Sequence, residues 1–388
     1  MKRICNVMLA LLLSMVTYAS NPEIRYMRPA QYNRAEIFLP QVNGYNIYKA
    51  DLHVHSIYSD GHQTPELRVR EAWFDGLDII AITEHLESRK REQEYLNFVK
   101  GYTGWKSLKA KNWWVYQTPP DEDGILADLN TAYQSAVKTA EKFGMTLIPG
   151  IEITREPTEF GHFNILFLED ANRIYAPDPI ESLRNARKQN ALIMHNHPGW
   201  SCTTNAKTDF QKKVYQEGLI DGVEVANGRE FYPNIIDRCL NENLFMCANT
   251  DLHDGSADSY GAFGHRRTMT LILAHDNSVE SVREALEKRR TIAYCAGHLC
   301  GEESMLKSLF TASVKATLLS VDKVDGTSLW RFTNNSSFSY RLAMDGLDTP
   351  MEINPLSTVA INIPVTDSFK VVICNMWYGE NSHPIVML

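Results

Sequence analysis

The stretch Asp51-Leu52-His53-Val54-His55-Ser56-Ile57-Tyr58-Ser59-Asp60-Gly61 decides how this chain is read. On an extended segment, side chains two residues apart point the same way, so His53 and His55 can grip one ion together. Asp60 precedes Gly61 in a turn that can swing its carboxylate back over the two imidazoles. An HxH pair alone is weak evidence, because histidine is common at partly buried positions.

The same device recurs down the chain. Apolar runs at 51–54, 79–83, 147–153, 162–168, 191–194, 222–226, 245–248 and 269–273 read as strands. Helix-like stretches at 65–74, 128–143, 180–189, 210–217, 234–242 and 279–289 lie between them, the first opened by Thr64 and Pro65. This alternation is that of βα units around a parallel sheet, an α/β class, and the count suggests a barrel. Ligand-type residues sit at the boundaries: Thr83-Glu84-His85, Gly150-Ile151-Glu152, Gly161-His162, His195-Asn196-His197-Pro198 and Asp251-Leu252-His253. In a βα barrel the C-terminal strand ends converge on one rim, so residues far apart in sequence become neighbours. Six such clusters are hard to explain as ordinary core histidines.

The strings DLHVHSIYSDG, GLDIIAITEH, GIE, NHPG and TDLH, spanning about residues 51–293, resemble the motifs of the PHP (polymerase and histidinol phosphatase) superfamily of metal-dependent phosphoesterases. The longer strings GLDIIAITEHLE, HNHPGW, VEVANGREFYP and GHRRTMTLILA are most similar to an exported bacterial subgroup acting on phosphodiesters and phosphotriesters. The resemblance implies a distorted (β/α)7 barrel. It also implies His53, His55, Asp60, His85, Glu152, His162, His197, Asp251 and His253 as ligands of two or three divalent ions, with His53, His55, Asp251 and His253 central to catalysis. His195 stands two residues before the matching His and is open to three readings: a ligand, a hydrogen-bond partner behind a ligand, or a plain strand residue; the second is favoured. His62 is expected at the solvent or the substrate entrance. Glu84 replaces the family's usual Asp, a departure expected to be harmless because the ligand is the next residue.

Imidazole and carboxylate ligands without thiolate suit Mn, Fe(II) or Zn. Two such ions can share a bridging hydroxide and clamp phosphoryl oxygens during in-line attack, so no protein nucleophile is needed, and no Ser, Cys or Thr triad is apparent. Away from the metals, phosphate calls for positive charge, and His265-Arg266-Arg267 precedes the strand at 269–273. Side chains alternate there, so one arginine is expected to face inward; Arg266 is chosen, and Arg267→Ala is expected to do little. Asn227 is a further rim residue able to hydrogen-bond substrate. The resulting expectation is hydrolysis of a small-molecule phosphate ester, foremost an organic phosphodiester. A phosphomonoesterase acting on a nucleotide or sugar phosphate, or a non-catalytic metal-binding barrel, is the alternative.

The rest of the chain frames this core. Met1-Lys2-Arg3, an apolar run at 7–13 and small residues at 17–20 have the layout of a signal peptide over residues 1–20, implying a secreted or periplasmic protein with no membrane span after cleavage. A formal charge of −8 argues against a nucleic-acid polymer as partner, because backbone binding needs clustered Lys and Arg. Six cysteines follow the leader, scattered as buried thiols would be, although Cys295 and Cys300 could pair in an oxidising compartment. The barrel is assigned to 21–300. Residues 301–388 are assigned to a small β-rich domain without a convincing helix, with strands near 318–321, 328–333, 358–363 and 369–374. Residues 86–120 form an insertion expected at the catalytic rim, whose Trp105, Trp113, Trp114 and Tyr116 either pack it onto the barrel or line a pocket for the ester's alcohol.

Overall fold

Strand β1 (Asn46–Asp51) ends on Asp51, and the two histidines beyond it lie on extended chain. The strand expected at 51–54 is therefore displaced toward the N-terminus. Past Asp51 the backbone stops pairing as a ladder because it is drawn across to the segment that follows another strand. The computed structural model describes residues 33–87, 128–155, 157–200, 202–365 and 369–387. The leader at 1–20 and the aromatic residues of the insertion lie outside the described residues.

In chain order, α1 (Pro65–Phe74), β2 (Ile79–Ile82), α2 (Thr131–Phe143), β3 (Thr146–Thr154), β4 (His162–Leu166), α3 (Pro179–Lys188) and β5 (Leu192–Asn196) build the first part of a curled sheet. It continues with α4 (Asp209–Gln216), β6 (Gly222–Asn227), β7 (Glu230–Phe231), α5 (Pro233–Glu242), β8 (Phe245–Asn249), the single turn α6 (Ser256–Ser259) and β9 (Met269–Ala274). Then come α7 (Val279–Glu287), β10 (Thr291–Cys295) and β11 (His298–Gly301). Local chemistry sets the helix ends. Thr64 caps α1 by accepting from the Leu67 N–H, with proline in the first turn, and Thr208 and Gln211 form a reciprocal capping box on α4.

The sheet is mixed rather than parallel. β1, β2 and β3 run parallel, as do β5, β6 and β8, but β4 is antiparallel to both β3 and β5, and β9 is antiparallel to β1 and β10. The link from β3 to β4 is too short for a crossover helix, so the chain must turn back on itself. The consequence is functional. The start of β4 falls at the same rim as the ends of β3 and β5, with His162 opposite Thr154 and Asn196.

The seam between β8 and β1 is closed by mixed contacts. Leu52 N–H donates to Asn249 Oδ1 (2.8 Å), Thr250 N–H to Asp51 Oδ1 (3.1 Å), Asp251 N–H to the His53 carbonyl (2.9 Å) and His55 N–H to the Leu252 carbonyl (3.1 Å). These bonds pull 52–55 and 250–253 together, so the two richest ligand strings face one another. Inside the curl, Ala50, Leu52, Ile79, Ala81 and Ile148 form one apolar cluster that also takes in Val282, Ala285 and Leu286 of α7.

Beyond residue 301 the texture is mostly β, with one correction. Glu303–Ser313 is a helix, α8, whose Met305, Leu306, Leu309 and Phe310 are buried; its apolar residues at three- and four-residue spacing were the missed signal. After it, β12 (Val314–Asp322), β13 (Thr327–Asn334) and, further on, β16 (Thr358–Pro364) make a three-stranded sheet. β14 (Tyr340–Met344), β15 (Met351–Ile353), β17 (Lys370–Ile373) and β19 (Ile385–Met387) make a four-stranded one, while β18 (Met376–Trp377) joins the barrel sheet beside β11. Phe332, Tyr340, Leu342 and Ile353 share one apolar cluster with Val54, Ile80 and Met269 of the barrel. Cys295 and Cys300 sit on the β10–β11 hairpin but two residues out of register, Cys295 opposite His298 and Cys300 opposite Ala293, and both thiols are free. Among the described residues no helix is long and apolar enough to cross a membrane.

Candidate metal centre

Asp51 is the first charged residue at the rim, and it is fully spent on structure. Its carboxylate accepts from Thr250 N–H (3.1 Å), Thr250 Oγ1 (2.5 Å) and the Arg267 guanidinium (Nη2 2.7 Å, Nε 3.1 Å). Arg267 also reaches Asp75 (3.1 Å) and is buried. Here the sequence expectation is reversed. One arginine of the pair does face inward, but it is Arg267, because only that position carries a guanidinium to Asp51. Arg266 turns to the C-terminal sheets, donating to the Ser337 carbonyl (3.3 Å) with its guanidinium 5.6 Å from the centre of the Phe338 ring, and His265 is exposed.

The nine residues that the family resemblance implies as ligands come together. Glu152 lies at their middle, 2.6 Å from His85 Nδ1 and 3.4–3.6 Å from ring nitrogens of His53, His55, His162 and His197. Nε2 of His53 and Nε2 of His55 are 3.1 Å apart, and both lie within 3.2 Å of Asp251 Oδ1. Asp60 reaches His253 Nε2 (3.1 Å) and His85 Nε2 (3.3 Å). Four groupings place all their donor atoms within 4.8 Å of one another: His55–Asp60–His85–His253, His53–His197–Asp251, His53–His55–Glu152 and Glu152–His162–His197. His53, His55 and Glu152 are wholly buried, whereas Asp60, Asp251 and His253 keep about a quarter to a third of their side chains exposed (32%, 22% and 34%). The cluster is thus closed below and open along one edge.

The electrostatics are those of many donors crowded into one mostly buried cluster. Burial favours neutral imidazole, yet Asp251, Glu224 and Glu152 raise the pKa of His53, and Glu152 and Asp60 raise that of His85. His55 goes the other way, pushed down to about 3 by burial and by neighbouring His85 and His253. Burial works against the charged form of Glu152 as well, but the surrounding histidines hold its carboxyl well below the usual range. Six imidazoles and three carboxylates with facing lone pairs, and no thiolate among them, are a donor set able to hold divalent metal ions. His197 and Asp251 both sit at positive φ (23° and 52°), a conformation that costs energy outside glycine and that functional sites commonly retain.

Several supporting residues carry no motif of their own. Glu224, wholly buried in β6, holds His53 Nδ1 (3.0 Å), the His197 N–H (2.7 Å) and the amides of Asn227 (2.8 Å) and Asn249 (3.0 Å). A lone acid inside the apolar run Gly222–Asn227 was a usable signal, because a buried carboxylate demands partners. Asn196 donates to Glu152 Oε1 (2.8 Å), and the Thr154 hydroxyl donates to Glu152 Oε2 (2.9 Å). Arg68 of α1 bonds the carbonyls of His55 (2.7 Å) and Asp254 (2.6 Å), tying the two ends of the centre together. Glu84 accepts from the Ser56 N–H (3.1 Å) and the Ser59 hydroxyl (2.5 Å), clamping the turn that carries Asp60. Gly61 completes that turn, since a Cβ there would lie 2.5 Å from the His55 carbonyl oxygen.

The remaining candidates fall elsewhere. His195 lies outside the ligand groupings, stacked on Phe163 and bonded through Nδ1 to the Tyr215 hydroxyl of α4 (2.8 Å). Its side chain bonds Tyr215 rather than one of the clustered residues, because alternation along β5 turns it the opposite way from Asn196. Its pKa is well below the ordinary value, through burial and then Arg238. His62, about half exposed, pairs with Asp254 (2.8 Å). Asn227 gives its amide to Glu224. Arg229, two residues on, is a rim residue that spacing alone does not reveal. It is exposed, lies over the Phe263 ring (5.0 Å) and helps line a cavity of about 310 Å³ beside Asp251 and His253, with Asp254, Asp258 and Tyr260.

A family model for the PHP domain matches residues 51–293. Among solved structures, the chain is similar to a two-domain protein from Bacteroides vulgatus that contains a predicted PHP-like metal-dependent phosphoesterase: 32% identity, TM-score 0.79, over 92% of this chain and 99% of that one. A looser likeness, at 16% identity and a TM-score of 0.40, covers 66% of this chain and 59% of a lesion-specific endonuclease from Pyrococcus furiosus. No protein of curated function matches. With the family's motifs in order along a match spanning well over half its length, the chain belongs to the PHP domain family.

Proposed function

We propose that the chain is a metal-dependent phosphoesterase acting on organic phosphodiesters, with the nine clustered His, Asp and Glu residues as ligands. The observation that carries this reading is their convergence into four overlapping ligand groupings around Glu152, open along the Asp60–Asp251–His253 edge. Bound there, divalent ions would supply a nucleophilic water near neutral pH and charge to clamp phosphoryl oxygens. The chain's own contribution is to hold the donors fixed. Glu224 orients His53 and His197, Asn196 and Thr154 orient Glu152, and Glu84 with Gly61 brings Asp60 over His55. Arg229, at the mouth of the adjoining cavity, is placed to bond a phosphoryl oxygen.

A diester is favoured over a monoester by the charge of that cavity. Among the described residues that line it, Arg229 is the one Lys or Arg, beside Asp254 and Asp258, which suits a singly charged phosphate better than a dianion. The basic and then apolar start of the chain supports export. The test is a panel of nitrophenyl mono-, di- and triesters with the protein stripped of metal and reloaded with Mn, Fe(II) or Zn. The expected result is metal-dependent turnover with the highest kcat/KM on the diester. Preference for the monoester would replace the substrate class, and absence of metal-dependent turnover on all three would overturn the reading.

A further inference from the structure

Trp200 is the exposed tryptophan among the described residues, with 47% of its surface in solvent, and it stands against the ligands. Its ring lies 5.3 Å from that of His162 and 5.5 Å from that of His197, centre to centre, at the Glu152–His162–His197 end of the cluster. The backbone leading to it leaves little freedom. His197 is at φ 23°, the Trp200 N–H bonds the His197 carbonyl (2.9 Å), and at Gly199 a Cβ would come within 2.7 Å of the Tyr232 ring. A large aromatic side chain normally hides its area, because burying it is strongly favourable. This one is anchored on one side by two imidazoles, while the rest of the indole is left uncovered beside the reacting centre.

We infer that Trp200 is a specificity-determining residue that stacks a planar ring carried by one ester group of the substrate. The inference rests on the phosphoesterase reading and adds the class of substrate, a ring-bearing rather than a short alkyl phosphodiester. An in-line displacement places the entering and leaving oxygens on opposite sides of phosphorus, so the groups of a diester point in different directions. The polar cavity beside Asp251 and His253 receives one group, and the indole face offers an apolar platform for another. Stacking is tolerant of ring identity because every planar ring presents a π-face.

The test uses methyl(phenyl)phosphinate and dimethylphosphinate, singly charged like a diester and without an ester bond to hydrolyse, titrated calorimetrically into the manganese-loaded protein, with metal content measured for every variant. Trp200→Ala is expected to weaken methyl(phenyl)phosphinate about tenfold and dimethylphosphinate less than about twofold at unchanged metal content, and Trp200→Phe to restore most of the loss. A residue that merely propped up His162 and His197 would instead lower metal content and weaken both ligands together, and that result overturns the inference. Equal weakening at unchanged metal content, or no change, overturns it as well. If the wild-type protein binds neither phosphinate, the phosphodiester-site reading itself has failed; binding of both without a role for the indole removes only the ring platform.

Discussion

Two buried polar clusters lie side by side at the same rim, and they differ in how their charge is settled. In the first, Asp51, Thr250, Arg267 and Asp75 satisfy one another, so nothing remains for a ligand to bind. The second crowds six imidazoles and three carboxylates, with ring nitrogens of His53 and His55 facing each other at 3.1 Å. Both begin within a few residues of Asp51. A self-neutralised cluster is part of the fold, whereas one with surplus converging donors has the make-up of a metal site. Their contrast gives separable expectations.

Removing ligands should abolish function and spare the fold. His53→Ala combined with His55→Ala is expected to eliminate metal-dependent ester hydrolysis while circular dichroism and gel filtration stay those of the parent. Turnover retained at matched metal content would remove the proposed centre. Breaking the first cluster should do the opposite. Arg267→Met leaves Asp51 buried without its cation and is expected to lower stability by about 3–5 kcal/mol in urea unfolding, since an uncompensated buried charge costs that much. This replaces the expectation from sequence that Arg267 is dispensable.

The pH dependence sharpens the contrast further. Without ions, raised pKa values on His53, His85, His197 and His253 mean that these groups hold protons that metal must displace. A raised folded-state pKa gives the metal-free protein stability that is present at low pH and lost as pH rises through that pKa, while His55, held near 3, stays neutral throughout. Metal binding therefore strengthens as pH rises, and at fixed metal concentration the Tm difference between loaded and stripped protein should widen from about pH 5.5 to about pH 8. A constant gap would mean that these imidazoles are not the ligands. The smallest effects concern the outlying arginines. Arg229→Ala should cost about 1.5–3 kcal/mol in kcat/KM, the usual worth of a charge-assisted hydrogen bond, and Arg266→Ala less than about 0.5 kcal/mol. Reversal of these two would restore Arg266 to the substrate.

The ligand-bearing strings were legible in the sequence because spacing and boundary position are local properties. His53 and His55 at i and i+2, Asp60 before Gly61, and acids and histidines at strand ends carry their meaning along the chain. So does the helix start at Thr64, where a cap needs only the next three residues. What supports those ligands is legible only in part. Glu224 was a usable signal as an acid in an apolar strand, but that its oxygens meet His53 and the His197 backbone depends on how the strands lie beside one another.

Tertiary structure alone decided the rest, for one physical reason: direction. Whether β4 runs with or against its neighbours determines whether His162 reaches the rim at all, and a short link forced it antiparallel. Which of two adjacent arginines turns inward depends on where Asp51 and Asp75 stand, residues about 200 positions away in sequence. His195 and Asn196 are neighbours on one strand, yet alternation sends one to Tyr215 and the other to Glu152. Residue type and spacing settle what chemistry a chain can do; the facing of each side chain is set by partners distant in sequence, and those only the folded chain brings together.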